Sequence, residues 1–366
     1  MAYNICVLPG DGIGPEIMEQ GLKVLQAVGD RFNLEFSCDK HLLGGCAIDA
    51  CGDPFPEETR VAAKAANAVL LAAVGGPKWD STNPDARRPE EGLLGIRKEL
   101  DLFANIRPIH VFPPLVDASS LKPESLEDVD LVIVREATGG LYFGAHGREL
   151  DVPGAGSDGK PGMAAFDALD YNEGEIERIA RSAFQMARSR GKRLHSVDKA
   201  NVLETSRLWR QVMHRVGEEF PDVELIDMLV DNAAMQLVAY PAQFDVLVTE
   251  NTFGDILSDE AAALTGSLGM VASASLGPDS SLYEPAHGSA PDIAGKGLAN
   301  PLAMILSVEL MLRYSFEADA AANAILVSIN RVLAAGYRTP DLADTDTPAD
   351  HIISCSSMGG LVAANL

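Results

Sequence analysis

Short apolar runs alternate along the chain with segments of helical periodicity. Asn4 to Leu8 is an apolar stretch of strand length that runs into a Gly/Pro turn. Met18, Leu22, Leu25, Val28 and Phe32 then recur every three or four residues, which predicts a helix with one buried face. Ala68 to Val74, Leu131 to Val134 and Val246 to Thr249 read as buried strands. Ile176, Ile179, Ala183 and Ala187 share one helical face, as do Leu208, Val212 and Val216. Leu302 to Leu312 is almost continuously apolar, which predicts a helix enclosed on all sides. Strands alternating with helices predict an α/β sheet architecture.

One stretch breaks this rhythm. Residues 145–163 hold five glycines and two prolines with little periodicity. The stretch is too long for an ordinary connection. It reads either as a disordered loop or as an arm that orders only against a partner subunit.

With 366 residues, 47% of them hydrophobic, the chain can bury a core of two domains or one large interleaved unit. Lys and Arg total 29 against 53 Asp and Glu, a formal net charge of −24. That balance, with no basic run, argues against nucleic-acid binding. It also means that an anionic ligand needs a local cluster of arginines. Cys6, Cys38, Cys46, Cys51 and Cys355 are odd in number and irregular in spacing. This speaks against a disulfide framework and for a reducing compartment. The N-terminal segment lacks a basic, cleavable apolar leader, and no apolar run is long enough to span a bilayer. A cytoplasmic protein without a membrane or nucleic-acid partner is expected.

Asp255 and Asp259 follow Gly254 in Asn251-Thr-Phe-Gly254. On a helix starting near Gly254 they lie one turn apart on one face. Two such carboxylates repel unless a cation lies between them, and Mg2+ or Mn2+ prefers these oxygens. Asp231 is a candidate third ligand. Arg97, Arg107 and Arg135 offer planar forks for carboxylates, although any one arginine alone reads equally as a surface ion pair. Arg135 ends a buried strand, where open α/β sheets bind ligands. Lys199, at another strand end, is either a solvated charge or a proton acceptor beside a metal. Tyr142 is a general acid or an aromatic anchor. Gly10-Asp-Gly-Ile-Gly14-Pro15 resembles a dinucleotide fingerprint, but Pro15 replaces its third glycine. A tight turn lining some other ligand is the better reading. The Glu284 to Pro301 loop is rich in small residues, and Gly288 and Ser289 permit close approach to its backbone.

Six segments resemble the isocitrate/isopropylmalate family of β-decarboxylating dehydrogenases. They are Leu8 to Glu16, Asp101 to Pro108, Val134 to Gly144, Ser196 to Glu204, Asn251 to Glu260 and Glu284 to Pro301. The resemblance covers Leu8 to about Asn330. It implies a two-domain, mixed-sheet α/β fold that is not a Rossmann fold. One domain would be discontinuous, from residues 1–102 and 255–366, and would bind the cofactor. The central one, 103–254, would bind substrate and dimerise, with residues 145–163 as its arm.

The activity implied is oxidative decarboxylation of 3-isopropylmalate with reduction of NAD+, in leucine biosynthesis, by a homodimer with shared sites. By this resemblance Asp255 and Asp259 bind Mg2+ or Mn2+ from one subunit, while Asp231 and Lys199 come from the other. Lys199, with Asp231, accepts the hydroxyl proton, and Tyr142 protonates the enol carbon. Arg97, Arg107 and Arg135 clamp the substrate carboxylates. Leu93 and Leu94, with Val202 of the second subunit, form an apolar pocket for the isopropyl group, where a third carboxylate would be left unpaired. Glu90, Glu284, His287, Gly288, Ser289, Ala290, Asp292, Ile293 and Asn300 line the NAD+ site. The Asp292-Ile293 pair is the pattern of NAD+ rather than NADP+ users, because Asp292 repels a 2′-phosphate.

Overall fold

The computed structural model describes residues 2–83, 86–119 and 121–366. Its strands are β1 (Tyr3–Gly10), β2 (Phe36–Lys40), β3 (Ala68–Ala73), β4 (Ala104–His110), β5 (Asp130–Glu136), β6 (His146–Val152), β7 (Gly162–Asp167), β8 (Arg193–Asp198), β9 (Glu224–Leu229), β10 (Val246–Thr249), β11 (Ala272–Leu276) and β12 (Ser281–Pro285). Ten of them form one sheet in the order β2-β1-β3-β12-β11-β4-β5-β10-β8-β9. β2, β1, β3 and β12 are mutually parallel, as are β5, β10, β8 and β9. The centre, β12-β11-β4-β5, is antiparallel. The mixed sheet expected from the resemblance is therefore present, and its antiparallel centre rules out an all-parallel Rossmann sheet. The half running from β2 to β11 is built from both ends of the chain.

The periodic segments form the expected elements. β3 is buried along its whole length, because strands flank it on both edges and helices cover it, so it carries no polar alternation. The helix Gly14–Phe32 buries Ile17, Met18, Val24, Leu25 and Val28. It packs on Cys355–Ala364 and on Leu302–Tyr314. In the latter every residue from Leu302 to Leu312 is buried, since β11, β12 and two further helices surround it. Each leucine or isoleucine there withdraws apolar surface worth about 2 kcal/mol.

The glycine-rich stretch forms the antiparallel ribbon β6-β7, a shape that suits an arm better than a disordered loop. Asp151, Gly154 and Gly159 take left-handed conformations that turn the chain, with a register shift between Glu149 and Val152. Both faces of the ribbon are largely exposed, so its strands carry no alternating apolar signal.

Candidate active site

The helix Asn251–Ala262 begins immediately after β10. Glu250 caps it, its carboxylate accepting hydrogen bonds from the Thr252 and Phe253 amides at 3.1 and 2.7 Å. This start places Asp255 and Asp259 on one face, as the four-residue spacing predicts.

Arg107 and Arg135 reach the same helix from the sheet. Arg135 lies opposite Asn105 across β4 and β5, so the two arginines sit on one face of adjacent strands. Arg107 donates to Asn105 Oδ1 at 2.9 Å, Ser258 Oγ at 2.6 Å, Asp259 at 3.3 Å and Asp255 at 3.4 Å. Arg135 donates to Asp255 and, through Nε and Nη2, to Asn251 Oδ1 at 3.0 and 2.7 Å. Arg97, from the helix Pro89–Glu99, donates to Glu284 Oε1 of β12 at 2.9 Å. Its Nε is buried without an acceptor among the described residues. An incoming carboxylate would satisfy it.

The charges tune one another. Burial lowers the Arg107 and Arg135 guanidiniums, the latter to about 10, and the arginines' mutual repulsion adds to this. Burial alone would raise Asp255, but Arg135, Arg107 and the Tyr142 hydroxyl outweigh it and hold the carboxyl below its ordinary value. Asp259 is raised by burial and by Asp255, against the pull of Arg107. Tyr142 donates to Asp255 Oδ2 at 2.9 Å, and the Arg135 guanidinium stands 5.7 Å from its ring centroid. Burial and the Asp255 charge push this phenol up to about 12, so it remains a proton donor at neutral pH.

A cleft of about 310 Å3 opens here, lined by Glu90, Leu93, Leu94, the three arginines, Tyr142, Asp255, Glu284, His287 and Gly288. Leu93 and Leu94 are half-buried on the helix that carries Arg97. A larger, mainly apolar cavity of about 870 Å3 lies on the opposite face of β4, bordered by Ala104 and Ile106; its ions are paired, Arg313 with Glu309 and Arg190 with Asp130.

Other expected residues lie apart. Lys199 and Asp231 form an ion pair, and the Lys199 hydrogen bond holds Asp231 below the ordinary carboxylate range. Neither lines the cleft, nor does exposed Val202. Among the described residues no group of three or more His, Cys, Asp or Glu side chains could hold a metal ion. Asp255 and Asp259 supply the hard oxygen donors that Mg2+ or Mn2+ takes, but only two of them. In donor chemistry the two residues fit such an ion.

The loop expected to hold the cofactor lies at the other end of the cleft. Ser289 Oγ donates to the Gly75 carbonyl at 2.8 Å, and the Ser289 carbonyl accepts from the Ile13 amide at 2.8 Å. Burial lowers His287, whose Nδ1 contacts the Gly288 carbonyl; its Nε2 is buried without a partner among the described residues, a donor or acceptor suited to a nucleotide base. Ala290 has a left-handed φ of 37°. Asp292 is exposed and Ile293 half-buried. Asn300 is buried and faces inward: it donates to Asp341 Oδ2 at 3.0 Å and accepts from the Leu302 amide at 2.9 Å.

The N-terminal glycine turn packs directly against Ser289, in the loop expected to hold the cofactor. It braces the neighbours of the cleft. Asp11, buried within it, accepts from the Gly45, Cys46 and Gly75 amides. A Cβ on Gly12, at φ +57°, would fall 2.0 Å from the Ser289 carbonyl oxygen, so only glycine fits.

Sequence reasoning passed over Asn105, Glu136, Tyr171, Glu250, Asn251 and Ser258. Two carry a readable signal: Glu136 follows Arg135, and Glu250 immediately precedes a helix, where a carboxylate caps.

A profile of the isocitrate/isopropylmalate dehydrogenase family matches residues 4–362. The chain is 57% identical over 343 residues to a 3-isopropylmalate dehydrogenase of Pseudomonas putida, covering 93% of each chain. It is also 57% identical over 347 residues to the Bacillus subtilis protein of that name, covering 94% of this chain and 93% of the relative. Among solved structures it resembles an isocitrate dehydrogenase from Methylococcus capsulatus at a TM-score of 0.85 and 35% identity over 99% of both chains. A β-decarboxylating dehydrogenase from Thermococcus kodakarensis gives 0.77 and 34% over 99% of this chain and 96% of the other. From β1 to the C-terminal helix, the chain belongs to the isocitrate/isopropylmalate dehydrogenase family.

Proposed function

We propose that the chain oxidises 3-isopropylmalate with NAD+ and decarboxylates the product to 4-methyl-2-oxopentanoate, a step of leucine biosynthesis. The observation that carries this reading is the pairing of three buried arginines with half-buried Leu93 and Leu94 in one cleft. The arginines suit the two carboxylates of an alkylmalate. The leucines suit its isopropyl group, each methyl gaining on the order of 1 kcal/mol on burial. A third carboxylate, as in isocitrate, would meet those leucines without a donor.

Arg97, Arg107 and Arg135 hold the diacid, with Arg97 Nε as the spare donor. Asp255 and Asp259, with Asp231 from a second copy, would hold Mg2+ or Mn2+. When bound, this cation acidifies the substrate hydroxyl and draws electrons from the new carbonyl. Lys199, coupled to Asp231, takes the hydroxyl proton as the hydrogen on that carbon leaves as hydride to NAD+. The carbon–carboxylate bond β to the new carbonyl then breaks and CO2 departs. Tyr142 supplies the proton that replaces it. Glu90, Glu284, His287, Gly288, Ser289, Ala290, Asp292, Ile293 and Asn300 receive NAD+, with Asp292 available for the ribose hydroxyls.

We take the enzyme to be a homodimer. Asp255 and Asp259 alone would leave a bound ion's shell to be completed, and Met235, Val238 and Ile256 lie exposed on the helices Val230–Ala239 and Asn251–Ala262, which pack side by side, with Tyr240 exposed just after the first. Lys199, Asp231 and Val202 would then complete the partner's cleft, and the β6-β7 ribbon would join the contact. We divide the chain into residues 1–102 with 255–366, and 103–254. The second boundary passes through the helix Asn251–Ala262. No helix among the described residues is long and apolar enough to cross a membrane, and we place the enzyme in the cytoplasm.

A spectrophotometric assay tests the reading. NADH should form with 3-isopropylmalate, NAD+ and Mg2+, and formation should stop on chelation. A higher kcat/KM for isocitrate or tartrate would overturn the substrate assignment.

A further inference from the structure

We propose that Tyr171 is a positioning residue whose hydroxyl bolts the turn bearing Tyr142 to the helix bearing Asp255. This rests on the reading of Tyr142 as the proton donor. The contact between Tyr142 and Asp255 joins two segments 113 residues apart, and something must hold them in register. Tyr171 stands between them. Its hydroxyl accepts from the Asn251 amide at 3.0 Å and donates toward Glu250 Oε2 at 3.5 Å, both at the start of that helix.

The Tyr142 turn lies flat on the same phenol. A Cβ on Gly140, at φ +72°, would stand 2.5 Å from the Tyr171 hydroxyl oxygen, and one on Gly139 would stand 2.7 Å from the ring. Glu136 holds the turn from below, accepting from the Thr138 and Gly139 amides at 3.1 and 2.8 Å. Asn251 completes the join by donating to the Gly139 carbonyl at 2.9 Å while accepting from Arg135. The ring is fixed edge-on against Trp209, with centroids 6.0 Å apart.

Glu136 and Glu250 are both buried, and no arginine or lysine bonds to Glu250 among the described residues. Such a network holds one geometry only while every member is satisfied. Deleting the hydroxyl strands the Asn251 amide and unpins the helix start from the ring on which the Tyr142 turn rests. Displacement of a reacting group by about 1 Å can cost about a hundredfold in rate.

The test is Tyr171→Phe, Tyr142→Phe and the double variant. Tyr171→Phe should lower kcat by about ten- to a hundredfold and leave KM for 3-isopropylmalate within about threefold. If Tyr171 acts through Tyr142, the double variant should be no slower than Tyr142→Phe alone. Hydrogen exchange on the ligand-free protein should quicken about tenfold at residues 138–144 and 251–253 and nowhere else. Multiplicative losses in the double variant, an unchanged kcat in Tyr171→Phe, or unchanged exchange at those segments would overturn the proposal. Wild-type kcat in Tyr142→Phe would instead sink the proton-donor assignment, and the exchange result would still decide the mechanical claim. Should Tyr171→Phe fail to fold, Glu136→Gln undergoes the same measurements; it keeps the phenol and removes one acceptor of the turn.

Discussion

Replacing Arg107 by lysine keeps a positive charge in the cleft and removes the planar fork. The guanidinium serves three directions at once: Nε bonds Asn105, Nη1 bonds Ser258 and Asp259, and Nη2 reaches Asp255. A lysine ammonium is a point charge on a flexible stem and cannot span these acceptors together. The one N–H left over, on Nη2, is the charge-assisted hydrogen bond available to the substrate, and its loss is worth about 1.5–3 kcal/mol. Taking about 2.7 kcal/mol in all, kcat/KM for 3-isopropylmalate should fall about a hundredfold. The fold should persist, because Asp255 retains Arg135 and both carboxylates are partly open to water. Initial rates of NADH formation across substrate concentration measure the effect, with circular dichroism as the control for folding. An Arg107→Lys enzyme within about threefold of wild type would refute the idea that this fork grips the diacid.

Further outcomes follow from the same geometry. Lys199→Met and Asp255→Asn should each be inactive yet folded. Subunits exchanged between the two should recover about a quarter of wild-type activity, since half of the random dimers then carry one intact shared site; no recovery would contradict sites built from two copies. NAD+ should be preferred over NADP+, because exposed Asp292 repels a 2′-phosphate. Asp292→Ser should narrow the ratio of the two kcat/KM values, and an unchanged ratio would exclude Asp292 as the discriminator. The Asp255 carboxyl is depressed in the folded protein, so its contribution to stability is fully present above the ordinary value near pH 4 and lost as pH falls through the folded value. The melting-temperature gap between wild type and Asp255→Asn should therefore shrink as pH is lowered from about 6 to about 3.

Much of this was legible in the sequence, for identifiable reasons. Burial on one face leaves a period, so Ile176, Ile179, Ala183 and Ala187 were readable as a helix face, and all four are buried. The four-residue spacing of Asp255 and Asp259 survives folding because a helix does begin beside them. The two strands of the ribbon were not legible, because strands exposed on both faces need no apolar alternation and their glycines mimic a loop. The glycines at Gly10 to Gly14 are legible as a tight turn, but the backbone atoms of Ala73 and Ser289 that crowd Gly10 and Gly12 come from distant segments and leave no local pattern. The clamp of Glu136, Tyr171 and Glu250 left no pattern, since its members come from segments up to 114 residues apart and each alone is an ordinary polar residue.

By itself the sequence determined the kinds of element and the stock of donors, because both follow from local periodicity and side-chain chemistry. It also determined the acidity that makes an arginine cluster necessary for any anionic substrate. Only the tertiary structure decided which donors meet. Placing β4 beside β5, and β5 beside β10, brings Arg107 and Arg135 to a helix more than a hundred residues away in the chain. That strand order is set by the burial of two long, opposed parallel sheet halves as a whole. No local run of residues encodes it, so the site emerges only once the entire sheet has closed.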